Sequence, residues 1–247
     1  MEHSRISVCN SINARTYLQS VRAAVVDLPG NLHLWQFDLK RHREFDLGGC
    51  SETELRRAGL FAARRDGSAF LASRVLLREV LGEYSGIPAR ELEFVSQDRK
   101  KPTLKGCPLA FNISHSSMQL VIAIRCSGHV GVDIQQVKQV NEIELARSVF
   151  APSEVRFLDS LPDRELQVQF FRLWACREAV LKSVGVGFEG RDLALRRTSE
   201  GDYRVSTRPT GWGGIGLTEF AMPEGFRGAL AWSTPAASLQ IHHFSVS

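Results

Sequence analysis

The hydrophobic period of this chain changes along its length. From Ser68 to Tyr84, the apolar residues Phe70, Leu71, Val75, Leu77 and Leu81 recur close to every 3.6 positions. From Leu92 to Ile134 the period is two, and from Glu142 to Val184 the helical period returns. A 3.6 period puts apolar side chains on one face of a helix, whereas alternation puts them on one face of a strand. The chain therefore mixes helices with antiparallel strands and then presents the same mixture again. That order predicts an α+β fold with two comparable halves meeting near residues 125–130.

Turn and cap residues set the expected boundaries. Residues 1–30 read as a weakly ordered lead-in, and His33–Phe37 as a strand. Ser51-Glu52-Thr53-Glu54 offers a cap for a helix running to about Arg65. A second helix follows to Tyr84, where Gly86-Ile87-Pro88 ends it. Strands are expected at 92–95, 109–113, 120–124 and 130–134. Helices are expected at 142–150, 152–161 and 164–184, the last stopped by Gly185 and Gly187. Short strands should follow at 203–207, 216–220, 229–232 and 239–244. No short repeat is evident.

Composition excludes several classes. The 247 residues are 43% hydrophobic and 23% charged, which suits a globular chain and excludes disordered and fibrous ones. No run approaches the ~18 apolar residues of a membrane span, and the first 15 residues show no secretory pattern. Cys9, Cys50, Cys107, Cys126 and Cys176 are scattered, without a Cys-x-x-Cys, so a reducing cytoplasm is the expected compartment. The net charge of +4 suits an anionic partner but selects none.

Three segments could carry chemistry. In Gly131-Val132-Asp133-Ile134-Gln135, strand alternation points Asp133 and Gln135 to the same side, as a hard cation would need; an ordinary polar strand face is the plainer reading. In the long helix, Trp174, Glu178 and Lys182 fall at i, i+4 and i+8 and line one stripe, in which Trp174 is most simply a core residue. Glu178 and Lys182 could be a surface pair worth roughly 0.2–0.5 kcal/mol, or could face a metal and a phosphate. In Phe111-Asn112-Ile113-Ser114-His115-Ser116, a strand end delivers Ser114 and His115 to a place where both can donate to an anion. No Gly-x-Ser-x-Gly elbow, phosphate-binding loop or dinucleotide fingerprint is present. Arg99-Lys100-Lys101-Pro102 is a basic turn.

The order and spacing of these segments are distinctive. Lys101-Pro102, Phe111-Asn112-Ile113-Ser114-His115, Gly131-Val132-Asp133-Ile134, Phe150-Ala151-Pro152-Ser153-Glu154 and Trp174…Glu178…Lys182…Gly185-Val186-Gly187 follow one another. The series closely resembles the surfactin-type (Sfp-like) 4′-phosphopantetheinyl transferases, whose pattern is K-P, F-N-x-S-H, G-x-D-I-E, F-x-x-x-E and W-x-x-K-E-x-x-x-K-x-x-G-x-G. The similarity covers roughly residues 50–190 and includes the helix around Arg74.

The resemblance implies a pseudo-dimer of two similar α+β halves with the active site in the cleft between them. It divides the chain into the lead-in 1–30, an N-terminal half 31–127 carrying coenzyme A-binding residues, and a C-terminal half 128–247 carrying metal-binding residues. It implies transfer of the phosphopantetheine arm of coenzyme A, the co-substrate, to a serine of an acyl or peptidyl carrier protein. Adenosine 3′,5′-bisphosphate is released, with Mg2+ as cofactor. Glu178, Lys182 and Asp133 would be catalytic, and Asp133, Gln135 and Glu178 would hold the metal. Arg57, Arg74, Lys101, Ser114, His115 and Lys182 would bind coenzyme A.

The family further implies an acidic carrier partner docking on Val137–Phe150 through Val140, Leu145, Arg147 and Phe150. It implies no nucleic-acid or membrane partner and a monomeric enzyme. Three positions depart from the family pattern: Gln135 stands for Glu, Arg177 for Lys, and Ala69 for a basic residue, with Arg64 and Arg65 nearby. Gln135 motivates the alternative of a non-catalytic member binding coenzyme A or carrier, and the basic charge a nucleic-acid-binding domain.

Overall fold

The structure, a computed structural model, describes residues 6–12, 16–41, 46–95, 101–185, 192–233 and 239–246. Arg99, Lys100, Val186 and Gly187 lie outside the described residues. The chain forms two compact units, residues 1–127 together with 238–247, and residues 128–237. Each has its own apolar core.

The first unit begins with β1 (Ile6–Ile12), α1 (Tyr17–Ala24) and β2 (Leu32–Asp38). Two helices follow, α2 (Glu52–Gly59) and α3 (Arg64–Ser85), then a small hairpin of β3 (Phe94–Val95) and β4 (Thr103–Leu104). An antiparallel pair, β5 (Ala110–Ser116) and β6 (Gln119–Arg125), completes its central part.

The second unit runs β7 (Val130–Gln136), α4 (Glu142–Val149), α5 (Pro152–Asp159), α6 (Asp163–Val184), the hairpin β8 (Ala194–Arg197) and β9 (Tyr203–Thr207), then β10 (Ile215–Phe220) and β11 (Phe226–Ser233). The chain ends with β12 (Ile241–Val246), which joins the first unit's sheet in the order β1-β12-β2-β6-β5.

Compared element by element, the two units are built alike. Strand, two helices, small hairpin and antiparallel pair follow in the same order, with α4 added in the second. The sheet orders β2-β6-β5 and β7-β11-β10 correspond, and all four of these pairings are antiparallel. Both long helices have 22 residues and stop at a left-handed glycine, Gly86 (φ 71°) or Gly185 (φ 74°), a conformation that carries no Cβ penalty for glycine. Their arginines Arg78 and Arg177 sit at the same helical position. Each pairs with a buried glutamate three residues into the preceding helix, Glu54 at 3.1 Å and Glu154 at 3.4 Å. The repetition lies in architecture, not in sequence, and that is why a search for short repeats finds none.

Several expectations need correction. The lead-in 1–30 contains α1, whose Tyr17, Val21 and Ala24 are buried, and β1, which pairs in parallel with β12. The expected helix 51–65 divides into α2 and the start of α3. At the break, Gly67 lies so close to α2 that a Cβ there would sit 2.6 Å from the carbonyl oxygen of Ala58, so the chain must turn before the helices cross. The strand expected at 92–95 keeps only Phe94–Val95. The last residues, placed in the second half by sequence, belong to the first, because β12 pairs with β2 along its whole length.

Candidate active site

In the second unit the edge strand β7 alternates as expected. Val132 and Ile134 are buried on one face, while Gly131, Asp133 and Gln135 share the opposite face, which meets α6. Asp133 is 3% exposed. Its Oδ1 accepts from Lys182 Nζ at 2.5 Å and its Oδ2 from Gln135 Nε2 at 2.7 Å. Glu178 lies one helical turn before Lys182 and is half-buried. Burial pushes its carboxyl above the usual carboxylate range, and the Asp133 charge pushes it further, against the pull of Lys182 and Arg177. Two carboxylates and an amide thus share a half-buried place with the Lys182 ammonium.

That set fits a hard divalent cation: it supplies oxygen atoms, and a cation would relieve the repulsion that raises Glu178. Among the described residues no three His, Cys, Asp or Glu side chains gather as a metal site. The cluster holds only two carboxylates because Gln135 stands where a third would.

Arg177 points away from this cluster. Its Nη1 donates to Glu154 and to the Leu193 carbonyl at 2.8 Å, and Glu154 also accepts from the backbone N–H of Leu195 and Ala151. Burial shifts the Arg177 guanidinium down and the Glu154 carboxyl up, the pattern of a desolvated strut. Trp174 packs against Phe150 and Phe170 and is a core residue, so the stripe read from sequence splits between core and site. Phe150, expected on a docking face, is likewise core at 8% exposed, whereas Leu145 and Arg147 of that segment are exposed.

In the first unit, Ser114 and His115 lie on β5, an edge strand. Ser114 is buried and His115 exposed, as alternation requires. Lys101 precedes β4, and burial lowers its ammonium to about 8. Arg74 is held by Glu54 at 2.6 Å and lies over the Phe94 ring, and Arg57 is exposed over Phe70. The Glu54 clamp on Arg74 and Arg78 was not foreseen. The capping box Ser51-x-x-Glu54 was the signal available, but it announces a helix start, not an ion pair.

The first unit also shows what the equivalent of the acidic cluster looks like when it is filled. Trp35 and Phe37 occupy in β2 the places of Asp133 and Gln135 in β7. Glu79 follows Arg78 as Glu178 follows Arg177, and accepts a hydrogen bond from Tyr17.

Comparison with known proteins decides the family. Residues 129–213 match the 4′-phosphopantetheinyl transferase superfamily, and residues 40–127 match the family described as 4′-phosphopantetheinyl transferase, N-terminal. The 4′-phosphopantetheinyl transferase HetI of Nostoc sp. is 35% identical over 182 residues, 69% of this chain and 77% of that protein.

The chain belongs to the 4′-phosphopantetheinyl transferase superfamily.

The transferase Sfp of Bacillus subtilis is 30% identical over 128 residues, covering 51% of this chain and 56% of that one. Among solved structures, the holo-[acyl-carrier-protein] synthase of Thermotoga maritima matches 43% of this chain and 64% of its own, at 20% identity and a TM-score of 0.37. Asp133, Gln135, Glu178 and Lys182 fall within the superfamily match, and Arg57, Arg74, Lys101, Ser114 and His115 within the N-terminal one. Among the described residues no helix is long and apolar enough to cross a membrane.

Proposed function

We propose that this chain transfers the 4′-phosphopantetheine arm of coenzyme A to a carrier-protein serine, with Asp133, Gln135, Glu178 and Lys182 at the reacting end. Family membership supports the transferase reading. One observation above all supports the residue roles: the motif positions read from sequence meet on the facing sides of β7 and α6.

Asp133 and Glu178 hold Mg2+ in this reading. The amide nitrogen of Gln135 is turned to Asp133, so its carbonyl oxygen serves the cation or a water bound to it. When bound, the ion supplies charge neutralisation at the pyrophosphate. Lys182 adds a positive charge beside the leaving group. The carrier hydroxyl forms a bond to the β-phosphorus as the bond to the departing adenosine 3′,5′-bisphosphate breaks. Glu178 accepts the serine proton directly or through water, a task for which burial beside Asp133 makes its carboxylate a stronger base than a solvated one.

Ser114 and His115 donate to the phosphates of the nucleotide, with Lys101, Arg74 and Arg57 adding charge. Burial that lowers the Lys101 ammonium to about 8 is offset when a phosphate reaches it. The chain acts as a cytoplasmic monomer on an acidic carrier, which meets the exposed Leu145 and Arg147 of α4.

Incubation with apo carriers, coenzyme A and Mg2+ tests this. The carrier gains the mass of the arm and an equal amount of adenosine 3′,5′-bisphosphate appears. Binding of coenzyme A without any mass gain across fatty-acid, polyketide and peptide carriers would instead establish the non-catalytic alternative.

A further inference from the structure

The face that β7 turns to α6 starts with a glycine. A Cβ placed on Gly131 would lie 2.2 Å from the carbonyl oxygen of Ala179, 2.2 Å from the amide nitrogen of Ser183 and 2.8 Å from the carbonyl carbon of Lys182. The first two atoms are acceptor and donor of one helical i→i−4 hydrogen bond, so strand backbone rests on helix backbone. No side-chain rotation can make room. A substituent there would displace α6 by more than ~1 Å, the gap between 2.2 Å and ordinary van der Waals contact.

The other half of the chain supplies a comparison. The second residue of β2, matching Gly131 in β7, is His33, and the residue of α3 matching Ser183 of α6 is Tyr84. There two rings fill the interval, with His33 Nδ1 2.6 Å from the Tyr84 hydroxyl. At this strand–helix position, close backbone approach occurs in the second unit and not at its counterpart in the first, and the second unit carries Asp133 two residues beyond the glycine. The touching segment 179–183 starts directly after Glu178 and includes Lys182.

We propose that Gly131 is a positioning residue: by letting α6 rest on β7, it sets the separation of Asp133 from Glu178 and Lys182, and through it the affinity of the site for its divalent cation. The proposal rests on the reading of Asp133 and Glu178 as metal ligands. Gly131 touches neither metal nor substrate and acts through the depth of the helix.

The test compares Gly131→Ala with Gly216→Ala. Gly216 is in β10 of the same unit, and a Cβ there would strike the Trp232 ring at 2.2 Å, a side chain away from the acidic cluster. For each full-length variant, Mn2+ affinity is read by electron paramagnetic resonance, stability by urea unfolding, and the coenzyme A KM by transfer assay. Gly131→Ala should weaken Mn2+ binding by about tenfold or more and change the coenzyme A KM less than about twofold. Gly216→Ala should lose stability without losing Mn2+ affinity. Equal Mn2+ affinities in wild type and Gly131→Ala, or equal losses in both variants, would overturn the proposal. A wild type that binds no Mn2+ would overturn the metal reading beneath it.

If Gly131→Ala does not fold, Asp133→Glu is the second arm. A helix held at fixed depth has no room for the added methylene, so Mn2+ affinity should again fall about tenfold. Unchanged affinity would show that α6 yields, and would overturn the proposal.

Discussion

Lys182 Nζ lies 2.5 Å from Asp133 Oδ1, joining a helix position 30% exposed to a strand carboxylate only 4% exposed. Gln135 holds the other oxygen of the same carboxylate. Asp133 is therefore fixed from both sides before any cation arrives, and an amide at position 135 is part of what fixes it.

Gln135→Glu should expose this dependence. The substitution removes the hydrogen bond to Asp133 and sets a third negative charge beside it, so without metal the variant should lose about 1 kcal/mol of stability. Magnesium should restore that loss and should reach half-maximal transfer at a lower concentration than in the wild type. Urea unfolding with and without Mg2+, and a magnesium titration of the transfer rate, check the two halves. An unchanged magnesium dependence would place residue 135 outside the ion's influence.

The buried strut between Glu154 and Arg177 makes a different prediction. Glu154→Ala strands a guanidinium that is 7% exposed and removes the acceptor of two backbone N–H groups. Breaking one side of such a pair costs about 3–5 kcal/mol. Denaturant unfolding should show that loss, with the coenzyme A KM of the remaining folded enzyme little changed.

Acid should unfold the first unit through its histidines. Burial, and then the neighbouring His242, lowers His33 to about 4; burial alone lowers His243 to about 4. The unfolded chain takes up these protons near pH 6.5 and the folded chain only near 4. The stability these neutral rings contribute is whole above pH 6.5 and drains away as pH falls toward 4, by roughly 3 kcal/mol for each. Urea midpoints at pH 7, 5.5 and 4.5 should trace that slope. His33→Phe, which keeps a ring against Tyr84 but cannot titrate, should remove about half of it, leaving the share of His243.

His115→Ala should raise the KM for coenzyme A by about tenfold and leave kcat within about twofold. A phosphate anchor contributes binding that ground state and transition state share. A large fall in kcat at unchanged KM would make His115 a participant in the chemistry.

Much of this was legible in sequence because period and spacing act locally. Strand alternation alone placed Asp133 and Gln135 on one face, and helical spacing placed Glu178 next to Lys182. What sequence did not disclose depends on distant partners. The return of β12 to β2 joins Ile241–Val246 to Leu32–Phe37, and neither segment names the other. The repeated order of helices and strands showed two comparable halves, but their residue-by-residue correspondence is silent, since Trp35 and Asp133 hold matching places with unrelated side chains. Arg177 read as a charged neighbour of Glu178, yet helical geometry turns consecutive residues apart, and Glu154, 23 positions earlier, claims it.

The most direct test of the catalytic account is a magnesium titration of carrier mass gain by wild type and Asp133→Ala, each first shown to be folded. The wild type should load the carrier only as Mg2+ is supplied. Asp133→Ala should fall by at least ~100-fold at every concentration, because it leaves Glu178 as the only carboxylate of the site. Wild-type-like loading by Asp133→Ala at limiting magnesium would remove Asp133 from the chemistry and contradict the account.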